Sequence, residues 1–156
     1  MLTPCADSQY QLSLAIHYPT IDQLPGIQTM KALLIVALGG GVGSVGRYLL
    51  SGVVLHRTIS WQFPLGTFLV NVLGCLAVGV LGGLVVRHDL FSADARLFLF
   101  TGLAGGFTTF SAFGLETLYL LRRDEPAIAA AYVFLSVLVG VFVLWAGFTA
   151  ALRSPA

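Results

Sequence analysis

Hydrophobic residues run almost without interruption through four segments of the chain, and short polar links separate the segments. A membrane-spanning helix needs about 20 mostly apolar residues, and each segment is long enough. The segments are Ala32–Leu55, Phe63–Val86, Leu97–Leu121 and Pro126–Leu152. The pattern therefore predicts an all-α integral membrane protein with four transmembrane helices.

The third segment departs from a simple apolar helix. Its middle, Thr101–Glu116, reads TGLAGGFTTFSAFGLE and places glycines, threonines and a serine at membrane depth. Backbone that leaves helical geometry inside a bilayer finds no water to satisfy it, and it persists only where it is buried in protein or lines a cavity. We therefore predict that the third helix is broken at its centre and that functional residues surround the break.

Composition supports the membrane assignment and argues against other classes. The chain has 156 residues, of which 57% are hydrophobic and 10% are charged, whereas a soluble domain carries about 25% charged residues. The net charge of +1 gives no reason to expect a nucleic-acid partner. An enzyme is the least favoured class, because the sequence has no nucleophile–base arrangement, metal-ligand cluster or phosphate-binding loop.

Residues 1–29 differ from the rest of the chain. They are of mixed polarity, contain three prolines, and lack the basic start and apolar core of a signal peptide. Met30 and Lys31 then open the first span as a natural start would. We predict that translation begins at Met30 and that residues 30–156 form the membrane domain; the alternative is a disordered N-terminal extension.

Positive charges flanking the spans are nearly balanced between the two sides of the membrane. One side carries Lys31, Arg87, Arg96 and Arg153, and the other carries Arg57, Arg122 and Arg123. The positive-inside rule acts on this difference. Two interpretations stay open: a weak bias that the insertion machinery resolves, or dual topology, in which copies insert both ways and pair antiparallel. A chain this small cannot easily enclose a pathway alone, which favours an oligomer.

Several polar and aromatic residues within the spans are candidates for function, because polar groups are costly there. Asn71, one turn after Thr67, either donates hydrogen bonds to a ligand or joins two helices. Arg47 either snorkels to the interface or lines a vestibule. Phe110 and Phe113 share a helix face beside the break, where simple packing is the alternative.

Further candidates lie in the third and fourth spans. Glu116 follows Phe113 by about one turn, and ordinary solvation at the end of the span is the alternative. In the fourth span, Tyr132, Ser136 and Gly140 recur every four residues and form a weakly polar stripe. Tyr132 could instead belong to an interfacial aromatic belt.

Three ordered motifs resemble the small fluoride channels, known as Fluc or CrcB-type fluoride exporters. They are GGGVGSVGRY in the first span, GTFLVNVLG in the second and GLAGGFTTFSAFGLET in the third. The resemblance covers about Met30 to Leu152. It implies a fluoride-selective passive channel in the bacterial inner membrane, built as an antiparallel dual-topology homodimer with two pores and embedded in lipid.

The resemblance also implies roles for individual residues. The fluoride pore would be lined by Asn71, Phe110, Phe113, Thr67, Thr109, Ser111, Tyr132 and Ser136. Arg47 and Glu116 match motif positions near the vestibule. A structural Na⁺ at the dimer interface would be held by the backbone carbonyls of Gly105 and Thr108.

The main alternative is a proton-coupled antiporter for small cations or drugs, a class that is also small and four-spanning. Such a carrier needs a deeply placed carboxylate to exchange protons for cations, and Glu116 is the sole candidate in the four spans. A non-transporting accessory subunit is a further alternative, although it would leave the polar residues inside the spans unexplained.

Overall fold

The computed structural model describes residues 26–88 and 91–153, and the chain in these ranges is helical without strands. In chain order the elements are α1 (Gly26–Arg57), α2 (Leu65–His88), α3 (Ala93–Arg96), a π-helix (Leu97–Ala104), α4 (Gly105–Phe107), α5 (Phe110–Arg122) and α6 (Pro126–Arg153). Four stretches are long and apolar enough to cross a membrane: Gln28–Arg57, Leu65–His88, Ala93–Arg122 and Pro126–Arg153. The predicted all-α, four-span architecture is confirmed.

The first helix is longer than its apolar run. It begins at Gly26, four residues before Met30, and residues 1–25 lie outside the described chain. A start of translation at Met30 and a disordered extension therefore both stay predictions.

Side-chain contacts gather the helix ends into two opposite groups. At one end, Lys31 of α1 pairs with Asp94 of α3, and Arg87 of α2 donates from Nη1 to the carbonyl of Leu152, with 2.6 Å between the atoms. At the other end, Gln62 donates from Nε2 to Glu125 Oε1 across 2.8 Å. This grouping of the helix ends is the one expected if each span crosses the membrane in the direction opposite to the span before it.

Glycines set the closest helix contacts within the chain. On α1, a Cβ at Gly43 would overlap the Leu103 carbonyl of the third span. On α2, a Cβ at Gly79 would overlap the Leu144 carbonyl of α6. Small residues allow such approach between membrane helices. We call these two contacts the glycine seams; they pack helices of the same chain against each other.

The third span changes geometry twice along its length. Its π-helix widens the turn over Leu97–Ala104, a form that is rare and is often found at functional sites. The helix then stops, because Thr108 (φ −78°, ψ 156°) and Thr109 (φ −149°, ψ 115°) are extended. This confirms the predicted break; Thr108–Thr109 is called the break below.

Candidate functional site

Asn71 of α2 holds the backbone of the break. Its Nδ2 donates to the Thr109 carbonyl across 3.2 Å, and its Oδ1 accepts from the Thr109 N–H across 2.9 Å. The amide therefore replaces the helical partner of the Thr109 N–H and adds a donor to the Thr109 carbonyl, which as the N-cap of α5 also accepts the first hydrogen bond of that helix. Since Nδ2 carries two hydrogens, one of them remains beyond this pairing.

Two carbonyls lose their helical partners at the break. In a continuous helix, Gly105 O would accept from the N–H of Thr109, and Thr108 O from the N–H of Ala112. The Thr109 N–H instead donates to Asn71, and the Ala112 N–H donates to Thr109 Oγ1 across 3.2 Å as α5 begins. Both carbonyls predicted as Na⁺ ligands are thus released from the helical pattern.

The break opens onto a cleft between α2, α5 and α6. Its volume is about 370 Å³, and one side is open to the surroundings. Its lining consists of Asn71, Gly74, Cys75, Val78, Thr108, Thr109, Phe110, Phe113, Ser136, Val137 and Leu144. Six of the ten residues predicted for the pore or the Na⁺ site therefore meet here: Asn71, Thr108, Thr109, Phe110, Phe113 and Ser136.

The polar atoms of the cleft differ in how they are satisfied. Ser136 Oγ is buried and has no hydrogen-bond partner within the described chain. Thr109 Oγ1 and Ser111 Oγ lie 3.3 Å apart and share a hydrogen bond, and Thr108 Oγ1 donates to the Ala104 carbonyl. A buried, unpaired hydroxyl is costly, so Ser136 is the strongest candidate for a ligand contact.

Four aromatic rings form a row that leads away from the cleft. The ring centroids of Phe110 and Phe113 are 5.6 Å apart, those of Phe113 and Tyr132 are 5.1 Å apart, and those of Tyr132 and Phe63 are 5.3 Å apart. Phe110 is 83% exposed and Tyr132 is fully buried. The row thus leads from the open cleft past the buried Tyr132, and this burial excludes an interfacial belt position for Tyr132.

Glu116 lies behind this row and accepts two hydroxyl hydrogen bonds. Thr67 Oγ1 donates to Oε1, and Tyr132 Oη donates to Oε2, with 2.7 Å between the atoms in each pair. Glu116 is half-buried and Thr67 is buried. In this structure, therefore, the hydroxyls predicted to face the pore at Thr67 and Tyr132 are directed at Glu116.

Arg47 lies apart from the cleft on α1. Its Nε is buried and has no hydrogen-bond partner in the described residues, and it is not among the residues that line the cleft. The structure leaves its vestibule role a prediction.

Sequence reasoning missed four features of the site. The pairing of Asn71 with Thr109 joins residues 38 positions apart, and that of Thr67 with Glu116 joins residues 49 apart; spacing along one helix cannot show either. The ring of Phe63 lies outside the quoted motifs. The π-helix follows from no residue pattern that we recognise.

Comparison with known proteins agrees with this geometry. The profile of the family described as CrcB-like protein, Camphor Resistance (CrcB), matches residues 34–148. A relative from Methylobacillus flagellatus, named fluoride-specific ion channel FluC, is 55% identical over 119 residues, which cover 76% of this chain and 93% of the relative. Proteins of the same name from Flavobacterium psychrophilum and Nitrobacter winogradskyi are 42% and 48% identical, over 76% and 74% of this chain and 94% and 90% of their own lengths. The profile matches most of the chain, and the four-span fold with its broken third helix agrees with that match. The chain therefore belongs to the CrcB-like family.

Proposed function

We propose that this protein is a fluoride-selective passive ion channel that exports fluoride through the bacterial inner membrane. The observation that supports it most is the cleft at the break, where the unpaired Ser136 hydroxyl, the Asn71 amide and two phenylalanine rings meet. The names of the relatives identify fluoride as the ion. In this proposal the protein conducts fluoride and catalyses no covalent step.

The residues of the cleft suit a small anion. Fluoride is strongly hydrated, so a pore has to replace water with hydrogen-bond donors; Ser136 and the second Nδ2 hydrogen of Asn71 can donate. Aromatic rings have a positive edge, so Phe110 and Phe113 can meet an anion edge-on. Contacts of this kind are individually weak, which suits conduction because the ion must also leave.

The proposed channel is an antiparallel dual-topology homodimer with two pores. One side of the cleft is open, and Phe110, which lines it, is 83% exposed, so a second copy would complete the wall. The nearly balanced flanking charges allow a chain to insert either way.

A structural Na⁺ fits the carbonyls of Gly105 and Thr108. Both carbonyls lose their helical N–H partners to Asn71 and Thr109, and hard cations prefer oxygen ligands. A bound Na⁺ would supply positive charge beside the anion path and would satisfy backbone that is costly to leave unpaired in a membrane. In the proposed dimer, the same two carbonyls of each copy contribute.

Fluoride and chloride efflux from liposomes tests the proposal. The purified protein is reconstituted, and the release of each anion is followed with an ion-selective electrode, with and without a proton gradient. Rapid fluoride release that is independent of the proton gradient is the expected result. Absence of fluoride release from folded protein would overturn the proposal, and cation efflux that is lost in Glu116→Gln would point to the antiporter instead.

A further inference from the structure

Phe63 lies at the end of the aromatic row that is farthest from the cleft, just before α2. Its ring meets the ring of Tyr132 edge-on, with the centroids 5.3 Å apart and the planes at 87°. The ring of Phe68 packs on Phe63 in the same manner, at 5.5 Å and 76°. Phe63 is therefore held in place and can in turn hold Tyr132.

Tyr132 is enclosed between Phe63 and Phe113. The centroid of the Phe113 ring lies 5.1 Å from that of Tyr132, and Tyr132 is fully buried. Its hydroxyl donates to Glu116 Oε2 across 2.7 Å. Because a phenol can swing only as far as its neighbours allow, the two phenylalanine rings fix the direction of this hydrogen bond.

Phe63 also faces the surface on the side of the link between α1 and α2. It lines a groove together with Ser60, Trp61, Gln62, Ala127, Ile128 and Ala131. Phe113, on the opposite side of Tyr132, lines the cleft at the break. The stack of Phe63, Tyr132 and Phe113 therefore stands between two surface openings, with Glu116 attached to its central ring.

We propose that Phe63 is a positioning residue for ion conduction, acting by holding the Tyr132 phenol on Glu116. The inference rests on the proposed fluoride channel and assigns a role to a residue outside its pore motifs. Without the ring, Tyr132 gains room to turn and Glu116 Oε2 loses a donor. An anionic oxygen without its donor repels a passing anion, so flux falls although Phe63 touches no ion.

The test compares two phenylalanine-to-leucine variants at the α2–α6 interface. Phe63→Leu removes the ring that holds Tyr132. Phe148→Leu is the matched control, because Phe148 packs on α2 beside Gly82 and away from the aromatic row. Phe63→Leu removes the edge-to-face contact with Tyr132 and should lower fluoride efflux about threefold to tenfold. Phe148→Leu leaves the aromatic row intact and should change fluoride efflux by less than about twofold.

A double-variant comparison separates positioning from general packing. If Phe63 acts through the phenol, adding Phe63→Leu to Tyr132→Phe should change efflux by less than about twofold, since contacting residues do not act additively. An equal effect of Phe63→Leu in both backgrounds would overturn the inference. If Phe63→Leu does not fold, Phe63→Met takes its place, because the flexible methionine side chain adapts to the space that the ring leaves.

A structure of the Phe63 variant gives a readout that does not depend on flux. We expect Tyr132 Oη to lie beyond hydrogen-bond distance of Glu116. A hydrogen bond that stays at its wild-type length would overturn the inference, even if wild-type protein proved not to conduct fluoride. Failure of wild-type efflux, by contrast, would remove the proposed function and leave the positioning of Tyr132 to be judged by this structure.

Discussion

The glycine seams and the break both come from glycine-rich sequence, yet they use it in opposite ways. At the seams, Gly43 and Gly79 bring helices so close that a single Cβ would overlap a carbonyl of the neighbouring helix. At the break, the backbone leaves the helix and side chains take over its hydrogen bonds, as Asn71 does for Thr109. The seams pack α1 closely against the third span and α2 closely against α6, whereas the break leaves irregular backbone beside an open cleft.

The largest effect is expected from filling a seam. Gly43→Ala would drive a methyl group into the backbone of Leu103 and Phe107, where nothing flexible can yield. Overpacking costs about 1–3 kcal/mol and sometimes more, so we expect a sharp fall in the midpoint of thermal unfolding in detergent.

Gly41→Ala is the matched control for this substitution, because a Cβ at Gly41 meets nothing within 4 Å. Its midpoint should equal or slightly exceed that of wild type, since alanine favours a helix over glycine. An equal fall in the unfolding midpoint of Gly41→Ala and Gly43→Ala would show that the close contact at Gly43 has no special effect on stability.

Removing the amide that holds the break should have the next largest effect. Asn71→Ala leaves the Thr109 N–H without its partner and removes one donor to the Thr109 carbonyl, and an unsatisfied buried group costs about 1–3 kcal/mol. Both the unfolding midpoint and fluoride efflux should fall. Wild-type stability in this variant would show that the break does not need Asn71.

Ser136→Ala should separate function from stability. Ser136 Oγ is buried without a hydrogen-bond partner in the described chain, so its removal should leave the unfolding midpoint unchanged or raise it. If the hydroxyl contacts the ion, fluoride efflux should nonetheless fall severalfold. A loss of stability without a loss of efflux would contradict the assignment.

The smallest effect is expected from a solvent-exposed ion pair at one end of the bundle. Lys31 and Asp94 form an ion pair in which both side chains are more than half exposed, and such pairs contribute at most about 1 kcal/mol. Lys31→Ala should therefore change neither the unfolding midpoint nor efflux appreciably. A fall in the unfolding midpoint as large as that of Asn71→Ala would mean that the burial of a contact does not determine how much the contact contributes to stability.

The sequence predicts the fold better than it predicts the site, for a physical reason. Apolar runs mark the four spans because each span must match the thickness of the bilayer, and the threonines of GGFTT mark the break. The pairings of Asn71 with Thr109 and of Thr67 with Glu116 depend on how separate helices face each other. Periodicity within one helix holds no information about that arrangement, and Phe63 escaped notice for the same reason.

The most direct measurement of the central claim is fluoride efflux from liposomes for wild type and for Phe110→Ile/Phe113→Ile, with chloride as the control ion. The wild type should release fluoride rapidly and retain chloride. The double variant should still fold in detergent, because Phe110 is 83% exposed and isoleucine keeps position 113 apolar, yet it should release little fluoride. Equal fluoride release by the two proteins, or none by the wild type, would contradict a fluoride path through the cleft at the break.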